Sequence, residues 1–379
     1  MTSDAIPFDR VRAWLFDEAL PFWSTVGVDG DRGFVERMDL DGTPADVDFK
    51  RMRVQARQIY VFSHAATLGF EGGLAAARNG YDFITTHGRL PGGGWARTLG
   101  RQGGMLDPAM DLYDLAFVIF ALGWYWKASG DETAARLAVD TLEAVDRQMA
   151  AAGGGYVSEL PDPGVRLQNP HMHLLEALAA SPLRRDGAWR EATLGLTRLF
   201  RERLYDPATG TLAETFDEDW RRAVGPAGVP IECGHHFEWC WLLRRADRRT
   251  GEDHGAERER LFAFAERHGV RSDGMVVDEV SETGARIGGD TRLWAQAERL
   301  KALLDRAEHD GVVDRAGVAA CATNLLDRFL APAPRACWID HLTADGAPRV
   351  DKIPASSLYH LFLAFAELLR LQPVLEGRP

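Results

Sequence analysis

Apolar residues recur at three- and four-residue steps through nearly the whole chain, the period of an amphipathic helix rather than the two-residue alternation of a strand. About twelve such segments follow one another: 8–24, 50–69, 71–87, 110–129, 131–151, 169–180, 186–204, 234–250, 254–269, 290–307, 312–330 and 355–372. Several open on start signals. Asp131-Glu132 begins one, and Asp107-Pro108 precedes another as an acceptor followed by proline does. Asp186-Gly187 and Asp310-Gly311 read as turns. The stretch 110–126 is apolar nearly all round, the pattern of a helix buried on every side.

Between alternate helices lie longer links rich in Gly, Pro and Asp, at 88–108, 152–168, 205–232, 270–289 and 331–353. Turn signals (Asp206-Pro207, Asp273-Gly274, Asp345-Gly346) beside β-prone stretches such as Met275-Val276-Val277 predict short hairpins there. Tight and long links therefore alternate. That rhythm predicts six helix pairs closed into two concentric layers, an all-α (α/α)6 barrel whose long links wall one cleft at one end. An open helical solenoid is the alternative, but no repeated sequence motif supports it. Length alone, 379 residues, suggests two or three domains. No composition break or low-complexity linker divides the chain, so one catalytic domain spanning 1–379 is expected.

Composition narrows the function. Lys plus Arg total 44 against 56 Asp plus Glu, a net charge of −12, which argues against a nucleic-acid partner. The densest basic run, Arg244-Arg245-Ala246-Asp247-Arg248-Arg249, reads as a solvated helix face. No uncharged apolar run is long enough for a membrane span. Met1-Thr2-Ser3-Asp4-Ala5 lacks the basic and apolar regions of a signal peptide, so a cytoplasmic chain is expected. Cys233, Cys240, Cys321 and Cys337 form no CxxC pair and read as buried thiols.

Four places carry candidate chemistry. In Asn169-Pro170-His171-Met172-His173, Asn169 reads as a helix cap, and Asn169 and His173 are four apart, on one side of a helix start at the cleft end. A capped helix with a core histidine explains the same residues. In Glu232-Cys233-Gly234-His235-His236-Phe237-Glu238, His235 and Glu238 stand at i and i+3, close enough for the carboxylate to hold one imidazole nitrogen and make the other more basic. His236 points elsewhere. Such a pair also resembles part of a metal site, as His171 with His173 does. His360 lies on an apolar helix, where a lone histidine is usually structural. Arg57 sits within the apolar helix of Val54–Phe62, where a buried guanidinium needs partners: a polyol's oxygens or a structural ion pair. Asp111, Asp114, Glu159 and Asp217 could supply the paired carboxylates of a glycoside hydrolase. A sugar-binding protein without turnover would need only the cleft. Gly92-Gly93-Gly94 near Arg97 and Arg101 raises a phosphate cradle, although a Gly run with no helix start after it is more simply a loop.

Taken in order, Val54-Gln55-Ala56-Arg57-Gln58, Tyr113-Asp114-Leu115-Ala116-Phe117, Asn169 with His173, His235-x-x-Glu238-Trp239, Trp294-Ala295-Gln296-Ala297-Glu298 and Ser357-Leu358-Tyr359-His360 resemble the N-acylglucosamine 2-epimerase superfamily. The wording is closest to its D-mannose isomerase branch. The resemblance implies an (α/α)6 barrel and no cofactor or metal. It makes His235 and His360 the acid/base pair at C1 and C2 of a monosaccharide, with His173 assisting ring opening. Arg57 and Asn169 would bind sugar oxygens, Glu238 would orient His235, and Tyr113 and Trp294 would line the pocket. Members that act on disaccharides carry a tryptophan just before the last histidine. Ala355, Ser356 and Ser357 stand there instead, which favours a free monosaccharide. D-Mannose–D-fructose isomerisation (or D-lyxose–D-xylulose) is the expected reaction, with 2-epimerisation as the alternative, in a monomer or homodimer.

Overall fold

A computed structural model describes residues 5–183 and 187–377. Residues 1–4 of the N-terminal motif, and Asp186 of the expected turn, lie outside them. Twelve helical elements follow in chain order. They are α1 (8–23), α2 (Met52–Thr67), α3 (Gly73–His87), α4 (Leu112–Ser129), α5 (Glu132–Gln148) and α6 (Gln168–Ala179). The second half comprises α7 (188–204), α8 (Cys233–Thr250), α9 (255–269), α10 (Leu293–His309), α11 (315–330) and α12 (Leu358–Arg370). A short helix, Gln372–Leu375, closes the described chain. The outer helices α1, α7, α9 and α11 each contain a π-helical stretch.

The even-numbered helices form the inner ring: α2 packs on α4, α4 on α6, and so on through α12, which returns to α2. Each odd-numbered helix covers one inner helix, with the N-terminal α1 packed on α12, so the circle closes. This is the (α/α)6 barrel. Helix α4 is buried along most of its length, as its nearly uniform apolar composition requires. Local signals act where they were read in part. Asp131 accepts from Thr133 N at 2.8 Å and starts α5. The acceptor that starts α4 is Asp111, bound to Tyr113 N at 2.9 Å, rather than Asp107. The turn at 310–314 ends on Asp314, which caps α11. All four cysteines are buried free thiols.

The long links hold more order than isolated hairpins. A link at 24–51 joins the five expected ones, and each strand that leads into an inner helix pairs with a strand of the next link. The pairs are Phe49–Arg51 with Thr98–Gly100, Met110–Asp111 with Glu159–Leu160, Arg166–Leu167 with Thr215–Phe216, Pro230–Ile231 with Val280–Ser281, and Thr291–Arg292 with His341–Leu342. Ile353–Pro354 then pairs with Arg37–Met38 and completes the circle. A stitched rim thus surrounds the mouth of the barrel and sets where every inner helix begins. The unit repeats structurally although its turn residues vary, which is why no sequence repeat is visible.

Candidate active site

Because the rim fixes the inner helix N-termini, side chains from the first two turns of all six converge there. Arg57 comes from α2, Tyr113 from α4, Asn169 and His173 from α6, His235 and Glu238 from α8, Trp294 from α10, and His360 from α12. All eight line one cavity of about 240 Å³, together with Glu232, Arg292 and Ser357. A second cleft of about 350 Å³, lined by Arg53, Asp111, Ser158 and Glu159 among others, adjoins it through Tyr113 and Asn169.

The Trp294 indole stands between two histidines, its ring centroid 4.7 Å from that of His235 and 6.0 Å from that of His360. Their electrostatic settings differ. His235 Nδ1–H donates to Glu214 at 2.8 Å, with Glu232 3.6 Å away. Burial alone would depress its pKa, but Glu214 and Glu232 outweigh burial and push it up to about 10. His360 Nδ1–H donates to Glu298 at 2.7 Å. Glu298 is in turn countered by the fully buried Lys301, 2.6 Å away at an angle outside hydrogen-bond geometry. Burial, then Arg57 and Lys301, hold His360 well below the ordinary histidine value. At neutral pH one imidazole is a cation and the other is neutral.

The expected contact between Glu238 and His235 does not form. The Glu214 carboxylate, supplied by the link before α8, takes that place because Nδ1 faces the rim rather than the next helical turn. Glu238 instead lies 3.8 Å from His173 Nδ1, and neither of its carboxyl oxygens has a hydrogen-bond partner among the described residues. Burial, with Glu298 nearby, raises its pKa well above the usual carboxyl range, so it is a neutral acid able to donate. His173 Nδ1–H donates to Glu176 at 3.0 Å, and burial lowers its pKa to about 4. Tyr359 Oη–H donates to the same Glu176.

Arg57 is 6% exposed. It donates to Tyr113 Oη and lies over the Phe117 ring, 4.2 Å from its centroid. No carboxylate pairs with it among the described contacts, so its charge faces the cavity. Asn169 stands at the second residue of α6 and does not cap it; its Oδ1 is buried without a partner among the described residues. These unsatisfied groups call for a polar ligand.

Other candidates fall away from this cavity. His171 is held by Leu167 O and Tyr156 N and faces the outer layer, so it does not join His173 as a ligand. His236 stacks on Phe264. Asp111 and Asp114 are paired with Arg53, Glu159 with Arg97, and Asp217 with Arg221. None of these four lines the histidine cavity. Gly92–Gly94 forms a turn whose Gly92 carbonyl accepts from Arg147 at 2.6 Å, while Arg101 is bound by Asp29 and Asp46. It is not a phosphate cradle. Among the described residues two groups could hold a metal ion, His173 with Glu176 and Glu238, and Glu214 with Glu232 and His235. In both, the histidine Nδ1–H is already donated to a carboxylate, so that nitrogen presents no lone pair.

The inner N-termini of a double ring of helices thus surround one small polar cavity lined by His173, His235 and His360. The chain belongs to the N-acylglucosamine 2-epimerase family, whose sequence model matches residues 33–364. It is 35% identical over 378 residues to a mannose-6-phosphate isomerase of Rhizobium meliloti (strain 1021), covering 95% of this chain and 96% of that one. A cellobiose 2-epimerase of Bacteroides fragilis is 28% identical over 377 residues, with 91% and 93% covered. The crystal structure of a D-mannose isomerase superposes with a TM-score of 0.84 at 20% identity, covering 98% of this chain and 99% of that one, a likeness of fold. The protein is accordingly a sugar-processing enzyme.

Proposed function

We propose that the protein is an aldose–ketose isomerase interconverting D-mannose and D-fructose, with D-lyxose and D-xylulose as the pentose counterparts. The placement of His235 and His360 about Trp294 in one cavity carries this reading. Neutral His360 is the base that removes the C2 proton of the open-chain aldose. Cationic His235 supplies a proton to the carbonyl oxygen, giving a cis-enediol. Arg57 stabilises negative charge as it develops on the oxygens, the role electrostatic catalysis assigns to a fixed cation. Return of a proton from His360 to C1, with the O2 proton passing to the now neutral His235, gives the ketose and restores both histidines. His173 and the neutral Glu238 are placed to assist ring opening, and Asn169, Tyr113 and Trp294 to hold the chain of hydroxyls.

No metal is needed in this scheme, because Arg57 and His235 provide the positive charge a Lewis acid would. The cavity lies below the roughly 300 Å³ at which pockets begin to enclose drug-sized ligands, which favours one sugar unit. Epimerisation at C2 is the second reading. Two histidines on different sides of one substrate suit removal of a proton from one face and return to the other, and the cellobiose 2-epimerase relative is consistent with it.

A panel of free hexoses and pentoses, their 6- or 5-phosphates and cellobiose, scored by product identity, tests the proposal. Fructose from mannose, with the phosphates turned over more slowly, is expected. Preferred turnover of a phosphate, or of cellobiose, would overturn the substrate assignment.

A further inference from the structure

The Arg244–Arg249 run is only in part a solvated helix face: Arg248 is exposed, whereas Arg244, Arg245 and Arg249 are half-buried. It ends the inner helix α8, at the opposite end of the barrel from the histidines, and Arg245, Arg248 and Arg249 line a cavity of about 500 Å³ there. Arg370 and Trp124 complete the donor side of its wall, and Glu308 and Glu367 the acceptor side. Four guanidinium groups thus face two carboxylates.

The carboxylates are already engaged: Arg370 binds Glu308 through two contacts of 2.8 and 2.7 Å, and Glu367 at 2.8 Å. Arg249 is held by the carbonyls of Leu178 and Leu183. Arg245 and Arg248 have poorer terms. The nearest acceptors of the half-buried Arg245 are Asp305 and Glu367 at 3.5 Å and His309 Nε2 at 3.3 Å. Arg248 reaches the same His309 Nε2 at 3.3 Å, yet that nitrogen has a single lone pair to share. Trp124 Nε1 is buried with no hydrogen-bond partner among the described residues. The cavity therefore has a surplus of donors that its own walls do not satisfy.

We infer that this cavity is a second binding site, for a small phosphate-bearing anion. A phosphate offers several strong acceptor oxygens to planar guanidinium forks, and can meet Arg245 and Arg248 together. The volume leaves room for an organic group beyond the phosphate itself. The inference is independent of the sugar reaction proposed above, since none of these residues lines the catalytic cavity.

Calorimetric titration of the full chain with inorganic phosphate, at constant ionic strength and against a chloride control, tests it. Saturable binding is expected, weakened about tenfold or more in R245Q/R248Q. R248Q alone, at an exposed residue whose substitution leaves the core untouched, should weaken binding severalfold, and it decides the matter if the double variant does not fold. Titration with glucose 6-phosphate then distinguishes the free ion from an ester: tighter binding of the ester, still sensitive to R245Q/R248Q, supports a phosphorylated metabolite as the occupant. No saturable heat from phosphate, or equal affinity in R248Q and wild type, would overturn the assignment.

Discussion

His360 Nδ1 lies 2.7 Å from Glu298 Oε1, and this contact fixes the tautomer that turns Nε2 toward the cavity. The opposing imidazole, His235, is fixed in the same way by Glu214, but no buried lysine counters that carboxylate. The two histidines therefore titrate on opposite sides of neutrality.

Replacing either imidazole removes one proton-transfer partner. H360N and H235N should each lower kcat by ~10²–10⁴-fold while leaving the melting temperature near that of the wild type. Steady-state kinetics and thermal unfolding, measured on the same preparations, check this.

The pH profile should be broad. Activity requires neutral His360, so it falls only below the ordinary histidine range of about 6.5. It also requires protonated His235, so it is lost as pH rises through about 10. In E214Q, one carboxylate that raises the His235 pKa is gone, and the alkaline limb should move to lower pH. E238Q should move it far less, because Glu238 is already uncharged. Equal displacement by both substitutions would contradict the assignment of Glu214 as the partner of His235.

Arg57 acts through its charge and its fork. R57M should lower kcat by ~10²–10³-fold, the cost of removing one preorganised donor to a developing oxyanion. R57K should recover only part of this, because an ammonium cannot keep the Tyr113 contact and serve a sugar oxygen in the same geometry. Rescue of R57M by added guanidinium would trace the loss to the missing cation.

Lys301 and Glu298 are both fully buried, 2.6 Å apart. K301M should destabilise the fold by ~3–5 kcal/mol, because Glu298 is left as an uncompensated buried charge. Its folded-state pKa then rises further. A raised pKa means stability is present below the unfolded value of about 4.3 and lost as pH rises, so the deficit should grow from acid to neutral pH. Urea midpoints across that range report it.

The proposed reaction needs no bound metal. Exhaustive chelation should leave kcat unchanged, and added divalent cations should not raise it. Loss of activity on chelation, restored by one metal, would direct attention to the group formed by Glu214, Glu232 and His235.

Much of this was legible in the sequence because helical period and motif order are local. Arg57, His173, His235 and His360 each sit early in an inner helix whose apolar stripe announces it. The rest depended on tertiary contacts. Glu214 reaches His235 from a link 21 residues upstream, so spacing favoured the i+3 residue Glu238 instead. Glu298 and Lys301 look like the polar side of an amphipathic helix, and only closure of the inner ring buries them. The rim pairs strands two or three residues long from different links, and such short pairings leave no alternation to read.

His360 takes the proton from C2, that proton exchanges with solvent on the imidazole, and one is then returned to C1 of the same sugar; conversion of D-mannose in heavy water, followed by proton and deuterium magnetic resonance, tests this sequence most directly. Isomerisation through His360 predicts D-fructose bearing deuterium at C1, formed ~10²–10⁴-fold more slowly in H360N. Exchange of mannose with glucose through deuterium at C2, without ketose, would contradict it.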